Sequence, residues 1–88
     1  MNQISLDVLM ADGTEHKDVK AILADQVAYS MTRQRHKWPT MEEDPLLFGS
    51  FVAYKALTRL NLFTGSWDEF TQQCAQVSSN LETDDEVF

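Results

Sequence analysis

The chain has few of the residues that usually carry cross-links or metals. Its 88 residues include one cysteine, Cys74, two histidines, three glycines and two prolines. A single cysteine excludes an internal disulfide and fits a reducing compartment. His16 and His36 lie on different predicted elements, and neither has a cysteine or carboxylate at zinc-ligand spacing. We therefore expect no metal and no cofactor.

Catalytic motifs are also missing. The sequence contains no G-x-S-x-G segment and no glycine-rich phosphate loop. Gly49 and Ser50 lie inside an apolar segment, where glycine is expected to let helices approach closely. The acidic triplet at residues 42–44 lacks the glycine-bearing loop that arranges calcium ligands, so helix capping explains it better. The sequence predicts a protein that is not an enzyme.

Long apolar runs are absent. Residues 1–5 show no basic segment leading into an apolar one, which argues against a secretory signal. No run approaches the roughly 20 apolar residues that cross a bilayer. We expect a soluble, cytosolic protein with no membrane partner.

Negative charge predominates. The 14 acidic residues outnumber the 7 Lys and Arg, so the net charge is −7, which disfavours nucleic acid and anionic lipid as partners. Every Lys and Arg lies between Lys17 and Arg59, whereas residues 62–88 hold six acids and no base. We expect residues 79–88 to form an acidic C-terminal tail, either solvated or docked on a basic groove.

The N-terminal segment predicts a β-hairpin. Ile4, Leu6, Val8 and Met10 alternate with the residues between them, which is typical of a strand with one buried face. Asp12-Gly13 favours a tight turn, and a second strand over about residues 14–21 would complete the hairpin. Because an isolated hairpin is marginal in water, it must pack on the helices or gain a strand from another chain.

The first of three predicted helices covers residues 24–37. Its buried stripe is expected to contain Ala24, Val27, Ala28 and Met31. Trp38 precedes a proline, which disfavours the helical conformation and ends the helix.

Two further helices follow. Asp44 is expected to cap the second, with Pro45 at its first position and apolar residues on almost every side. The third begins at the capping box Ser66–Glu69, and its apolar face is expected to carry Trp67, Phe70, Cys74 and Val77. The predicted fold is α+β but mainly α: an N-terminal β-hairpin followed by three helices, in one domain over residues 1–78.

Residues 31–45 concentrate charge and aromatic character. Cations beside Trp38 are found in nucleic-acid sites, but the neighbouring acids and the net charge weaken that interpretation. Two alternatives are compensation of the helix dipole and ion pairs from Arg33 and Arg35 to Glu42, Glu43 or Asp44. A third is a protein-binding hot spot, where Arg and Trp are enriched.

The apolar second helix raises the same question. Three short helices cannot enclose all of residues 46–57, so we expect part of this surface to face an apolar or helical partner. The predicted partner-binding residues are Arg33, Arg35, Trp38, Leu47, Phe51 and Tyr54.

The order of several segments also points to a family. These segments are Asp12-Gly13-Thr14, Ala24-Asp25, Met31-Thr32-Arg33, Lys37-Trp38-Pro39, Leu46-Leu47-Phe48, Phe51-Val52-Ala53-Tyr54-Lys55-Ala56-Leu57 and Ser66-Trp67-Asp68-Glu69-Phe70. Over about residues 5–77, the chain resembles the small tail assembly chaperones of long-tailed bacteriophages and prophages.

The resemblance implies a non-enzymatic protein of the host cytoplasm that is absent from the mature virion. It would bind the long helical tape measure protein, and possible further partners are tail tube subunits, which assemble around it. Many such proteins also occur in a longer form made by ribosomal frameshifting. Self-association through the hairpin edge, giving a homo-oligomer, would assist repeated weak contacts.

Two other classes stay open. One is a small acidic phage-encoded inhibitor or regulator that binds a host protein and uses its C-terminal tail as a charge mimic. The other is a structural head or tail component that stays in the particle.

Overall fold

The sheet of this protein has three strands, and its third strand comes from the end of the described chain. The computed structural model describes residues 3–82. Its elements, in chain order, are β1 (Gln3–Met10), β2 (Glu15–Ala21), α1 (Leu23–His36), α2 (Pro45–Arg59), α3 (Trp67–Gln73) and β3 (Cys74–Glu82). The strands form one antiparallel sheet in the order β2-β1-β3.

The prediction of a mainly α fold, with a hairpin followed by three helices, is wrong. Helix α3 ends at Gln73, and the chain continues as β3. Cys74 and Val77, expected on the helix, lie opposite Met10 and Val8 of β1. The fold is a small α+β fold in which three helices accompany a three-stranded sheet.

The physical reason is the unpaired edge that a hairpin would leave on β1. Val, Ser and Asn, which are frequent after Cys74, are weaker helix formers than Ala or Leu, so the helix gains little by continuing. As a strand, the same segment pairs with the backbone of β1 along nearly its whole length. Residues 79–82, expected to begin the acidic tail, belong to this strand, and residues 83–88 lie outside the described residues.

The core lies between the sheet and α2. Leu6, Val8 and Met10 of β1 are buried, as their alternation predicts. Helix α2 contacts both edge strands and both other helices, which confirms its predicted central position. Its fully buried residues are Val52, Ala53, Ala56 and Leu57.

The predicted signals at two helix starts are confirmed. The Asp44 carboxylate accepts a hydrogen bond from the Leu47 N–H at 3.1 Å, and Pro45 follows it. At α3, the Ser66 hydroxyl accepts from the Glu69 N–H at 3.1 Å, and the Glu69 carboxylate accepts from the Ser66 N–H at 2.7 Å. These caps satisfy N–H groups that have no partner inside the helix.

A buried ion pair joins three elements at one end of the molecule. Asp25 is only 3% exposed. Its carboxylate accepts from Arg59 Nη2 at 3.0 Å and from the Ile22 N–H at 3.0 Å. Arg59 Nη2 also donates to the Lys20 carbonyl at 3.0 Å. The end of β2, the start of α1 and the end of α2 are therefore held together by one network.

We expect Asp25→Ala to lower the free energy of unfolding by about 2–3 kcal/mol, because it removes a helix cap and leaves Arg59 without its carboxylate. Urea denaturation would measure the loss. Asp68→Ala, at an exposed first-turn position of α3, is the matched control and should cost less than about 1 kcal/mol. Adding Arg59→Met to Asp25→Ala should cost less than the sum of the single changes. Equal losses for Asp25→Ala and Asp68→Ala would contradict the role of the pair.

The glycines of α2 and of the following loop differ in their surroundings. Gly49 is buried, yet a Cβ added there would meet no atom within 4 Å, so the expected close helix approach is not what requires this glycine. At Gly65, φ is +150°, and an added Cβ would lie 2.6 Å from Glu69 Oε1 and 3.1 Å from Phe63 Cζ. Of these two glycines, Gly65 is the one that its backbone conformation and its neighbours require.

We therefore expect opposite effects from the two alanine substitutions. Gly49→Ala should raise the free energy of unfolding by about 0.5–1 kcal/mol, because alanine is the better helix former. Gly65→Ala should lower it by about 1–2 kcal/mol through backbone strain and disturbance of the capping box. Thermal and urea unfolding of the two variants would check this, and destabilisation by Gly49→Ala would contradict the free space seen at its Cβ.

Candidate protein-interaction surface

The joint between α1 and α2 is built around Trp38. Its ring lies 5.5 Å from Phe51 and 6.1 Å from each of Tyr29 and Trp67, measured between centroids. His36 stacks on it at 5.6 Å. These rings belong to one connected aromatic cluster, consisting of Tyr29, Trp38, Phe48, Phe51, Tyr54, Phe63, Trp67 and Phe70. Trp38 is half-buried and closes this cluster at the joint.

Tyr29 is the residue through which α1 enters the cluster. It is buried, its ring lies edge-on to Phe48 at 5.0 Å, and its hydroxyl donates to the Pro39 carbonyl at 2.7 Å. Burial raises the pKa of Tyr29, and the Asp44 carboxylate raises it further. The hydroxyl thus stays protonated as the donor of this hydrogen bond.

Four of the six predicted partner-binding residues contribute to packing. Phe51 is 5% exposed and belongs to the core, which corrects its assignment to a contact surface. Trp38, Leu47 and Tyr54 are half-buried and pack against that core. The Tyr54 hydroxyl donates to the Gly65 carbonyl at 3.2 Å. The structure therefore places these four residues in the core or packed against it.

The two predicted arginines have different surroundings. Arg33 is half-buried, and its Nε is buried without an acceptor among the described residues, whereas Arg35 is exposed. Within residues 3–82, neither forms an ion pair with the acidic triplet. Glu43 instead accepts from the Thr40 N–H at 3.0 Å, and Asp44 caps α2. The helix-capping interpretation is confirmed for Asp44, whereas the Glu43 bond to Thr40 closes the turn before α2. For both acids the ion-pair interpretation is wrong.

The outer face of α1 carries three apolar side chains, two of which, Val27 and Met31, the sequence pattern placed inside. Leu23, Val27 and Met31 are 74%, 44% and 58% exposed. Their spacing of four residues puts them on one side of the helix. The expectation that Val27 and Met31 would be buried with Ala24 is wrong. We call Leu23, Val27 and Met31 the α1 stripe.

The α1 stripe is exposed because other residues set the rotation of the helix. Asp25 is held by Arg59, and Tyr29 is held by the aromatic cluster and by Pro39. Both lie on the inward side, so the residues two positions before or after them point away. The signal that could have found this is the size of Tyr29, which buries far more apolar area than Ala24 or Ala28.

Arg35 continues the α1 stripe by one more step of four residues. It is exposed and lies in the last turn of α1 with Arg33 and His36. The surface from Leu23 to Arg35 is therefore about 18 Å long, with three apolar side chains followed by a cation. Such a pattern can cover the apolar face of another helix and pair with an acid at its end.

Other chemistry finds little support in the described chain. No group of three or more metal-capable side chains occurs there, and no helix among the described elements is long and apolar enough to span a membrane. Cys74 is half-buried, and desolvation raises the pKa of its thiol, which lowers its reactivity. Comparison with family models, curated proteins and solved structures gave no match.

We expect Trp38→Ala to lower the free energy of unfolding by about 2–3 kcal/mol, because the change removes a half-buried indole that contacts four other rings. Met41→Ala, at an exposed position of the same loop, should change it by no more than about 0.5 kcal/mol. Chemical denaturation of both variants would test this. If Trp38→Ala behaved like Met41→Ala, the ring would be free for a partner and not part of the packing.

Proposed function

We propose that this protein is a tail assembly chaperone of a long-tailed bacteriophage, a non-enzymatic protein that binds helices of the tape measure protein. It acts in the host cytoplasm and is not retained in the mature virion. Tail tube subunits are its second candidate partner. The resemblance of residues 5–77 suggests the class, and the observation that carries the proposal is the α1 stripe.

The α1 stripe suits a helical partner because its residues repeat at helical spacing. Burying one such side chain contributes about 1.5–3 kcal/mol at most, and less when it is already partly covered. A single contact of this size is weak. A long helical partner offers many such sites, so several copies can cover it although each copy binds and leaves readily.

The chemistry of the stripe also favours a partner of varied sequence. Met31 is unbranched and flexible, and methionine adapts to differently shaped apolar surfaces. Exposed Arg35, at one end of the stripe, supplies direction by pairing with an acidic residue of the partner helix. A protein that shields many different helical segments needs this combination.

The test is co-expression with a tape measure fragment, followed by measurement of the fragment that stays in the supernatant. The double variant Val27→Gln, Met31→Gln should no longer keep the fragment soluble, because it lacks two of the three apolar side chains of the α1 stripe. Both side chains are exposed and contribute little to the fold, so the variant should stay folded. Leu60→Gln with Leu62→Gln is the matched control, since these residues are 44% and 48% exposed at the end of α2 and its loop. The control pair should keep the fragment soluble.

Two results would contradict the proposal. One is a fragment that precipitates equally with and without the unaltered protein. The other is binding that depends strongly on salt concentration and is lost when residues 83–88 are deleted. That result would indicate an acidic charge mimic that inhibits a host protein. The deletion must begin after Glu82, because Asn80, Leu81 and Glu82 pair with β1.

A further inference from the structure

The two edges of the sheet differ in how readily they accept another strand. Among the described strands, β1 is central, and β2 and β3 form the edges. On β2, the pairing with β1 is interrupted between Leu6 and Val8, where Asp18 adopts a left-handed φ of 57°. The Asp18 N–H donates to the Asp7 carboxylate at 2.8 Å. A bulge of this kind twists an edge and hinders pairing with another chain.

Charge adds a second obstacle at the β2 edge. Lys17 lies 3.9 Å from Glu15, and Lys20 lies 3.0 Å from Asp18, in exposed ion pairs along this strand. A strand added here would have to match four charges and a backbone irregularity. The β2 edge is therefore protected.

Over residues 76–81 the β3 edge has neither form of protection, because its register shift against β1, between Leu9 and Met10, falls at the start of the strand. Residues 74–81 contain no charged residue and no proline, although charged residues make up 24% of the chain. The pairing with β1 runs without interruption from Gln76 opposite Leu9 to Glu82 opposite Gln3. Within the described residues, no strand pairs with the other side of β3. Such an edge is a template for a further strand.

An apolar groove lies directly beside this edge. Its volume is about 170 Å³, and its lining includes Leu46, Ser50, Phe70, Cys74, Ala75 and Val77. Leu46, at the start of α2, is 72% exposed although it is apolar. A strand added to β3 would therefore find backbone partners and an apolar surface next to them.

We propose that β3 pairs with β3 of a second copy of this chain, in antiparallel orientation about a two-fold axis, to form a continuous six-stranded sheet. The sequence of β3 suits this occupant because a two-fold axis sets the strand against itself. Residues 74–81 are uncharged, so self-pairing brings no like charges together along that stretch. Symmetry also gives the second copy the same groove beside its own β3, with Leu46 and Val77 in its lining.

The protected β2 edge then limits the assembly to two copies. A sheet with two open edges would continue into a fibre, whereas a sheet with one open edge closes as a dimer. The sequence-based expectation placed self-association at the hairpin edge. In the structure, however, β3 pairs with the outer edge of β1 and the bulge protects β2, so β3 is the edge that we propose for self-association.

Sedimentation equilibrium of the full chain tests the proposal. The unaltered protein should reach twice the monomer mass as its concentration rises. Ala75→Glu and Leu46→Glu, both at exposed positions beside the groove, should each weaken the dimer about tenfold or more, because a charge would be buried there. Leu23→Glu, at an equally exposed apolar position on α1, should leave it unchanged. Far-UV circular dichroism confirms that each variant is folded.

Cross-linking locates the contact. A two-fold axis sets only the residue at the axis against its own copy. In a Cys74→Ser background, the variant of Gln76→Cys and Ser78→Cys that lies nearer this axis should form an intermolecular disulfide on mild oxidation, because opposed residues of antiparallel strands have Cα atoms about 4.5–5.5 Å apart. Lys17→Cys, on the β2 edge, should not form one.

Three results would overturn the proposal: a monomer at every concentration, a dimer weakened by Leu23→Glu but not by Ala75→Glu, or cross-links at Lys17→Cys alone. The proposal is independent of the chaperone function. A chain that dimerises through β3 but leaves the tape measure fragment insoluble disproves only that function, and a monomer that protects the fragment disproves only the dimer.

Discussion

The ion pair between Asp25 and Arg59 controls the arrangement of the helices on the sheet. It links the first turn of α1 to the last turn of α2, and Arg59 also holds the end of β2 through the Lys20 carbonyl. Because Asp25 is buried, its carboxylate needs these donors, and α1 cannot turn about its axis without losing them. The rotation of α1 decides which of its side chains meet solvent. The candidate binding surface therefore follows from a polar contact on the opposite side of the same helix.

Aromatic packing one turn further along α1 supports the same rotation. Tyr29, one turn after Asp25, packs against Phe48 and donates to Pro39. Trp38 then seals the joint against Phe51 and Trp67. Two anchors on one helix face, one ionic and one aromatic, define the helix position better than either would alone. Residues of the joint that resemble a recognition motif in sequence are thus mostly structural, and the exposed apolar residues lie elsewhere.

Local signals predicted much of this fold because their physics is local. The alternation in β1, the Asp12-Gly13 turn, the Asp44 cap and the Ser66–Glu69 box each depend on residues a few positions apart. The inward face of α1 was predicted wrongly because its decisive partner, Arg59, lies 34 residues away in sequence. The spacing of small and medium apolar residues indicated a different inward face from the one on which Tyr29 lies. Such a pattern takes no account of side-chain size or of charges that are far away in sequence.

The third strand shows the other kind of failure. Trp67, Phe70, Cys74 and Val77 fit a helical period, yet Cys74 and Val77 also fit a strand, and short apolar patterns do not separate the two. The open edge of β1, which is far away in sequence, decides that this segment forms a strand.

Of the candidate site, only exposed Arg35 was both predicted from sequence and placed on the outer surface of α1. The α1 stripe itself required knowledge of the helix rotation.

The position of β3 has a consequence for folding during synthesis. The first strand of the described chain is completed by the last, with Gln3 opposite Glu82. Pairings between distant segments form late and slow the folding of a small domain. As the chain leaves the ribosome, β1 can pair with β2 early, but its other edge waits until residues 74–82 have emerged. The same exposed backbone that later accepts β3 is, during that interval, the part of the nascent chain most open to incorrect pairing.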